Sequence, residues 1–399
     1  MSMFKNVFIP YRGYYSTPFS KWQGSLQHEN SIELGARISK KWFESRQWNP
    51  NEILDYLYLG ISIGQKSIFY GSSWAATLMG APDIPGQTIM HACATSTTSI
   101  FNAATAVELG NVKTAYCLMV DRCSNGPHTV WPNPKGPGGE VISENWNMDN
   151  MASDPSTGIG MLETGERIAK KYGFSKEQAD ELTYRRYEQY ADALQHDRAF
   201  QKRYMVPVEV KVSKHETKVL ETDEGVHTTS LEALRKLQPV MENGILSYGG
   251  QTHPADGNVG IIVTSKEQAK MLSQDENVPV QIISYGYART EKAMMPAAPV
   301  PAVKMALERA GISVQDLKVI KNHNPFIVND LCLAQELGID AMHFNNYGSS
   351  LVFGHPQAPT VGRLLIEAIE EAVIKGGGYA LATGCAAGDN GAAIIVKVG

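Results

Sequence analysis

The chain has 399 residues, of which 43% are hydrophobic and 19% charged, and its formal net charge is −5 at pH 7. This length predicts two similar domains, or a duplicated unit with an insertion, rather than one small core. The slightly acidic balance offers no basic surface for nucleic acid or an anionic membrane. We therefore expect a globular protein that binds neither.

The N-terminal segment and the cysteines indicate the compartment. Residues 1–15 hold one short apolar stretch broken by Pro10, Arg12 and Gly13, which fits neither a secretory signal nor a membrane span. The five cysteines are scattered, odd in number and without metal-ligand spacing, so neither a disulfide framework nor a zinc site is predicted. We expect a cytoplasmic location, free thiols and no metal.

The first part of the chain alternates strand-like and helical runs. Strand-like runs occupy 6–9, 56–63, 88–92 and 115–120, and amphipathic or small-residue helical runs occupy 31–42 and 93–110. Gly110 marks the end of the second helix. This alternation predicts a mostly parallel sheet covered by helices.

The last part repeats this order of elements. A strand is predicted at 317–320 and a helix at 328–337, followed by the turn 354–356, a helix at 362–374 and a strand at 379–383. Both parts place a reactive side chain, a helix, a glycine stop and a strand in the same succession. The repetition is weak in identity, and it predicts two stacked α/β layers of one plan.

The middle of the chain differs from both parts. Residues 132–155 are dense in Pro, Gly, Asn, Trp and Met, whereas 175–190 and 230–237 are charged and helix-prone. We interpret the middle as an inserted loop domain. Its first segment fits a partly buried lid, an interface or plain surface packing.

Four side chains stand at positions suited to chemistry. Cys93 follows a strand and precedes a helix, whose N-terminus favours thiolate, although a buried structural cysteine fits the same position. His355 lies in a Gly-His-Pro turn that can aim the imidazole of a general base, or it is an ordinary turn histidine. Cys385 lies in a glycine-rich bend after a strand, and His323 also follows a strand.

Together these segments resemble the thiolase family in the correct order along nearly the whole chain. The motifs that carry the resemblance are HACATSTTSIFNAATAVELG, VDRCSNGP, GILSYGGQTHPADGNVG, NHNPF, YGSSLVFGHP and GCAAGDNGAA. The chain is most similar to the sterol-carrier-type and archaeal-like branch, with features of benzoylsuccinyl-CoA-type subunits.

The resemblance implies a fold and a division of the chain. Two duplicated βαβαβαββ halves pack as α/β/α/β/α layers, with a loop domain over one face. The N-terminal half would comprise 1–126 and 244–275, the loop domain 127–243 and the C-terminal half 276–399. The family implies a homodimer or a dimer of dimers.

The resemblance also implies a ping-pong mechanism on acyl-CoA. Cys93 is the nucleophile, His355 its base, and Cys385 the acid and base at the substrate α-carbon. One oxyanion hole is formed by His323 and the other by the backbone N–H groups of Cys93 and Ala387. No cofactor is bound permanently, since CoA is a co-substrate. Substrate and CoA contacts are expected at Met161, His227, Tyr248, Thr252, Asn324 and Phe326.

Departures from the family pattern point to a remodelled pocket. His323 stands where Asn is usual, and Asn324 stands in place of a carboxylate, which we expect to be absent. Tyr248 replaces a small residue, and His227 replaces an arginine of the nucleotide site. These changes resemble thiolases that act on aromatic or branched ketoacyl-CoAs with a small zinc-ribbon and OB-fold partner subunit.

Two other functions compete with this interpretation. A decarboxylating ketoacyl synthase of the same fold would use Cys93, His323 and His355, but it needs no thiol acid, so Cys385 argues against it. A non-catalytic acyl-CoA-binding partner subunit would be expected to lose one reactive group. The thiolase interpretation uses all of them.

Overall fold

The computed structural model describes residues 2–211, 213 and 215–399. The helices are α1 (Ser31–Ser45), α2 (Pro50–Ile53), α3 (Gly71–Met79), α4 (Thr95–Glu108), α5 (Trp146–Ala152), α6 (Met161–Tyr172), α7 (Lys176–Arg198), α8 (Leu231–Lys236), α9 (Lys266–Leu272), α10 (Pro299–Ala310), α11 (Val328–Leu337), α12 (Ser350–Phe353) and α13 (Thr360–Ile374). Short 3₁₀ turns connect several of them, including Ala92–Ala94 directly before α4.

Most strands belong to one large sheet. The strands are β1 (Phe8–Ile9), β2 (Tyr14–Ser16), β3 (Ser20–Lys21), β4 (Tyr56–Gly60), β5 (Gly86–Ile89), β6 (Thr114–Arg122), β7 (His128–Pro132), β8 (Val141–Asn145), β9 (Val208–Lys211), β10 (Thr217–Leu220), β11 (Ala255–Thr264), β12 (Val280–Arg289), β13 (Leu317–Asn322), β14 (Gly378–Ala386) and β15 (Asn390–Val398). The sheet order is β13-β14-β15-β12-β1-β11-β6-β4-β5, with β2 and β3 also pairing with β11.

The two halves of this sheet share one feature at their outer edges. Each half places a parallel pair toward its outer edge, β4 with β5 in the first and β13 with β14 in the second. The short strand β1 joins them, because Phe8 pairs antiparallel with both Thr264 of β11 and Gln281 of β12. The expectation of a mostly parallel sheet is wrong. Antiparallel pairs predominate because β14 turns directly into β15, and β11 returns beside β6 after the long insertion.

The helices form layers on both faces of the sheet. Helix α4 packs on β4, β6 and β11, helix α13 packs on β13 and β14, and the two helices contact each other in the middle of the molecule. Helices α1 and α3 cover the outer face of the first half, and α10 covers that of the second half. Small side chains such as Ala103 and Ala104 are fully buried on α4 and allow this close packing. This arrangement determines where two reactive side chains lie, because Cys93 directly precedes α4 and His355 lies shortly before α13.

The segment 127–243, called the loop segment below, has more regular structure than its composition predicts. Strands β7 and β8 form an antiparallel hairpin followed by α5, and all but the first of these elements lie in the stretch 132–155 that is dense in Pro, Gly, Asn, Trp and Met. Proline and glycine in its turn, together with exposed strand faces, hide the alternation that normally marks a strand. The helices predicted at 175–190 and 230–237 are confirmed as α7 and α8. The division into three domains stays a prediction.

Membrane insertion through a helix finds no support in the described part of the chain, where no helix has the length and apolarity to cross a bilayer. The five cysteines are all free and buried.

Candidate active site

Cys93 lies in the 3₁₀ turn between β5 and α4, close to the N-terminus of the helix. The preceding residue, Ala92, has φ of +43°, a conformation that costs a non-glycine residue roughly 1 to 3 kcal/mol. Thr95 accepts the His91 backbone N–H at 2.8 Å and donates to the Ala92 carbonyl at 2.7 Å. These bonds hold the turn that carries Cys93 in its strained form.

His355 faces Cys93 from the opposite half of the chain. Its Nε2 lies 3.0 Å from Cys93 Sγ, and its Nδ1 lies 2.6 Å from the Thr360 hydroxyl in the first turn of α13. Gly354 has φ of +94°, which a side chain would strain, so glycine is required in this turn. When Nδ1–H donates to Thr360, Nε2 carries the lone pair and can accept the thiol proton. This is the arrangement that a nucleophile and its base require.

Burial sets the resting protonation of this pair. It raises the pKa of Cys93 to about 12, against the backbone N–H groups of Ala387 and Cys93, which favour thiolate. It also lowers the pKa of His355 to about 3. Both groups are therefore neutral at pH 7. Thiolate forms only when its proton moves to His355, so activation is coupled to the approach of a substrate.

His323 lies beside His355, with ring centroids 4.1 Å apart. Its Nδ1 is 2.7 Å from the Ser350 hydroxyl, whereas its Nε2 is buried without a partner. When Ser350 donates to Nδ1, Nε2 carries the hydrogen and becomes an unused donor next to the thiol. Burial, with His355 nearby, lowers the pKa of His323 well below its usual value, so the ring is neutral. An unpaired donor of this kind suits a developing oxyanion.

Cys385 is fully buried near the end of β14. The Asn329 side-chain amide donates to its sulfur at 3.2 Å. Burial and the neighbouring Cys93 raise the pKa of Cys385, while the Asn329 hydrogen bond opposes this effect. The thiol is therefore protonated at rest, and the Asn329 amide can donate to the thiolate once the proton has left. A general acid that later recovers its proton requires both properties.

A buried carboxylate behind His323 corrects one expectation. The Asn324 side chain donates to Asp330 at 2.6 Å, and the Asn324 backbone N–H donates to the Ser350 hydroxyl, which contacts His323. Asp330 also pairs with fully buried Arg186 at 2.9 Å. The carboxylate that we expected to be absent is thus supplied by α11, through Asn324. Sequence reasoning missed it because Asp330 is separated from His323 by a turn of helix, although two polar residues at the start of an apolar helix could have indicated it.

A cavity of about 510 Å³ opens beside Cys93 and His355, whereas His323 and Cys385 are fully buried and are not part of its wall. Cys93, His355 and Ala387 lie in its wall, together with three of the predicted substrate contacts, Met161, Thr252 and Phe326. Much of the remaining lining is apolar and comes from the loop segment and its neighbours: Trp22, Ile63, Met90, Trp146, Met148, Met151, Leu162 and Met295.

The other three predicted contacts lie elsewhere. Tyr248 is 77% exposed, and His227 is exposed on the loop segment. Asn324 is fully buried, and the hydrogen bonds with Asp330, Ser349 and the Leu351 backbone occupy its side chain. The structure does not bring these three residues into the cavity wall, and their role as ligand contacts stays a prediction.

The same centre contains the one group of three metal-ligand side chains found among the described residues. The ligand atoms of Cys93, His323 and His355 lie within 4.8 Å of one another. A metal held there would occupy both the nucleophile and its base. The arrangement therefore serves either a metal or the acyl chemistry, and the hydrogen-bonded thiol and imidazole fit the second.

Comparison with known proteins identifies relatives of the whole chain. The family model described as the thiolase N-terminal domain matches residues 13–267, and that of the thiolase C-terminal domain matches residues 277–398. A beta-ketothiolase of Cupriavidus necator is 28% identical, with 96% of each chain covered. A beta-ketoadipyl-CoA thiolase of Pseudomonas knackmussii is 29% identical, also with 96% of each covered.

Solved structures show the same fold. The human mitochondrial 3-ketoacyl-CoA thiolase in complex with CoA superposes with a TM-score of 0.90 at 24% identity, covering 100% of this chain and 99% of the other. The Bacillus anthracis acetyl-CoA acetyltransferase gives a TM-score of 0.90 at 24% identity, covering all of both chains. Because the two family models together span most of the sequence, the chain belongs to the thiolase family of acyltransferases.

Proposed function

We propose that the protein cleaves a 3-ketoacyl-CoA with free CoA, or forms one by the reverse condensation, through an acyl group on Cys93. The observation that carries this proposal is the 3.0 Å contact between Cys93 Sγ and His355 Nε2 in the wall of the apolar cavity. CoA acts as a co-substrate in both directions, and the cleavage direction places the protein in acyl-CoA degradation.

In the first step the thiol proton passes to His355 Nε2. The electron pair of the broken S–H bond forms the bond from Cys93 to the keto carbon of the substrate, and negative charge develops on the keto oxygen. The backbone N–H groups of Cys93 and Ala387 both favour negative charge at the sulfur, so they are well placed to bind this oxygen. Removal of one such donor typically costs about 3 to 4 kcal/mol in an acyl-transfer site.

In the second step the carbon–carbon bond breaks and leaves an enolate of the departing CoA thioester. The unpaired Nε2–H of His323 donates to the enolate oxygen, and Cys385 gives its proton to the α-carbon. The Cys385 thiolate that results accepts the Asn329 hydrogen bond and then takes the proton of the incoming CoA thiol. As CoA attacks the acyl group, Cys93 leaves and regains its proton from His355, which closes the cycle.

For the substrate we propose a bulky acyl group, either aromatic or branched. The support is the lining of the cavity, where the thioether and indole side chains of Met148, Met151 and Trp146 face the space in front of Cys93. Methionine adapts its shape to irregular apolar groups, and tryptophan offers a flat apolar face. A benzoylsuccinyl-CoA-type substrate belongs to this class.

The proposed assembly is a homodimer, or a dimer of dimers. Strand β5 forms an open edge of the large sheet, and an unpaired edge in a native protein is usually covered. Phe69 is 89% exposed, and Tyr70 and Met90 are also exposed near this edge. A small zinc-ribbon and OB-fold partner subunit remains part of the proposal, with the exposed apolar hairpin β7–β8 as a second surface.

The test is product analysis with a panel of acyl-CoAs and free CoA, with and without the candidate partner. We expect thiolysis of bulky ketoacyl-CoAs, an acyl adduct on the Cys93 peptide by mass spectrometry, and no adduct in Cys93→Ala. Efficient cleavage of acetoacetyl-CoA together with rejection of bulky substrates would contradict the substrate proposal. Full activity of Cys385→Ala would favour a decarboxylating synthase, which needs no thiol acid.

A further inference from the structure

Gln357 lies two residues after His355 and points at the same sulfur atom. Its Oε1 is 3.0 Å from Cys93 Sγ, and only 6% of the residue is exposed. Cys93 Sγ is also 3.0 Å from His355 Nε2, so the carboxamide oxygen and the imidazole both contact the sulfur that carries the activating proton. No role was assigned to Gln357 from the sequence.

The backbone holds this side chain in place against strain. Gln357 has φ of +61°, which is unfavourable for a residue with a side chain. The Ala358 N–H donates to Asp121 at 2.8 Å, and the Thr360 N–H donates to the Gln357 carbonyl at 3.2 Å. Strained residues that persist in this way cluster at functional sites, where the surrounding structure determines their conformation. The direction of the Gln357 side chain is therefore set by the fold.

The available partners define what the carboxamide can do. Before proton transfer the thiol has one proton for two acceptors, His355 Nε2 and Gln357 Oε1. After transfer His355 carries hydrogens on both nitrogens, and Thr360 accepts only the one on Nδ1. Among the described residues no carboxylate bonds to the ring of His355, and the Gln357 side chain opposes the lowering of the His355 pKa by burial.

We propose that Gln357 is a further catalytic residue, whose side-chain oxygen accepts the Nε2–H of protonated His355 and so stabilises the imidazolium of the thiolate–imidazolium pair. The Sγ–H bond breaks, the Nε2–H bond forms, the electron pair stays on sulfur, and Gln357 undergoes no covalent change. This inference rests on the proposed function, because it assumes that His355 activates Cys93.

Other groups around His355 belong to the same electrostatic environment. They lie on the turn before α4, on β6 and after it, before β11, after β13 and on β14, and they are Cys93, Asp121, Cys123, His253, His323 and Cys385. A substitution at Gln357 leaves all of them in place, so a change in the pH profile reports the amide itself.

The experiment measures alkylation of Cys93 by iodoacetamide between pH 5 and 10 (about one measurement per half unit), followed on the Cys93 peptide by mass spectrometry. The thiolate–imidazolium pair contains the same number of protons as the neutral pair, so wild-type protein should show a pH-independent plateau near neutrality. Above it the rate should rise as thiolate forms by direct ionisation. The rising branch does not need protonated His355.

Gln357→Met preserves length and apolar volume while removing the acceptor. We expect the plateau to fall about 10- to 100-fold, the range for a lost hydrogen bond to a charged group. The high-pH branch should stay within about threefold of wild type, since it reports access to a thiolate that forms without His355. Gln201→Met is the matched control, because it removes another buried glutamine amide that bonds to neither Cys93 nor His355, and its profile should match wild type.

Each outcome separates the inference from the function on which it rests. A wild-type profile without a plateau would refute His355 as the base of Cys93, and with it the proposed function. A normal wild-type plateau that Gln357→Met leaves unchanged overturns the role of Gln357 alone. An equal fall of plateau and high-pH branch also overturns it, because reagent access and not proton transfer has then changed.

Discussion

Replacing Arg363 by methionine tests how the loop segment is anchored to the helix that positions His355. Arg363 lies on α13, one turn after Thr360, and is fully buried. It bonds to Asp223 of the loop segment through both terminal nitrogens, the longer contact being 2.8 Å, and to Glu367 at 3.0 Å. The guanidinium also lies 3.8 Å from the centroid of the Phe353 ring. A single side chain therefore connects the loop segment with the centre of the molecule.

The expected cost follows from the charges that remain. Methionine keeps most of the packing against Phe353 but leaves Asp223 without its cation. Glu367 keeps the hydrogen bond from the Tyr204 hydroxyl at 2.6 Å and a longer contact to Lys321. Removing one partner of a buried ion pair costs about 3 to 5 kcal/mol. For a chain of 399 residues the entropy of unfolding is roughly 0.8 kcal/mol per kelvin, so Tm should fall by about 4 to 6 °C.

The assay is thermal unfolding followed by circular dichroism, together with limited proteolysis of the loop segment. A second variant, Asp223→Leu combined with Arg363→Met, removes both charges. We expect it to lose less stability than the sum of the two single variants, because neither leaves an unpaired charge for the other. A Tm within about 1 °C of wild type for Arg363→Met, or strictly additive losses, would refute this account of the anchor.

Three further predictions concern separate features. Ser350→Ala should lower kcat about 10-fold with little change in KM, because His323 loses the partner that places a hydrogen on Nε2; a changed KM alone would contradict this. Burial opposes the charge of Glu224, but hydrogen bonds from two serines outweigh burial and bring the pKa of Glu224 to about 2. The ionised carboxylate therefore stabilises the folded protein above pH 4.5, and this contribution is lost as pH falls from 4.5 to about 2. Tm of Glu224→Gln should vary less than wild type across that window. Gly286→Ala should lower Tm, since its Cβ would lie 1.9 Å from the Ala302 carbonyl oxygen, and an unchanged Tm would exclude this packing.

Local pattern was sufficient for the helices and strands next to the reactive side chains. Helix α11 has the predicted bounds, and α4 and α13 each begin within two residues of theirs. The hairpin β7–β8 was missed because its strands are exposed on both faces and carry no alternation. Strand direction was also missed, since parallel and antiparallel neighbours can have the same composition when both faces are buried.

The motifs alone indicated Cys93, His355, His323 and Cys385 as reactive residues. The motifs did not indicate which residues surround these reactive groups. Gln357 looked like an ordinary residue of a turn, and Asn329 and Asp330 looked like polar residues at the start of a helix. Each acquires its role only through a partner from another element, as Asn329 does with Cys385, which is 56 positions away.

The sequence by itself determined the succession of strand and helix around the reactive side chains, the family resemblance and the reactive side chains themselves, because these depend on local spacing and residue chemistry. Only the tertiary structure decided which nitrogen of each histidine is free, which amides lie beside the two sulfur atoms, and which predicted contacts reach the cavity. Those properties depend on distances of about 3 Å between residues far apart in the chain, and such distances are set by packing.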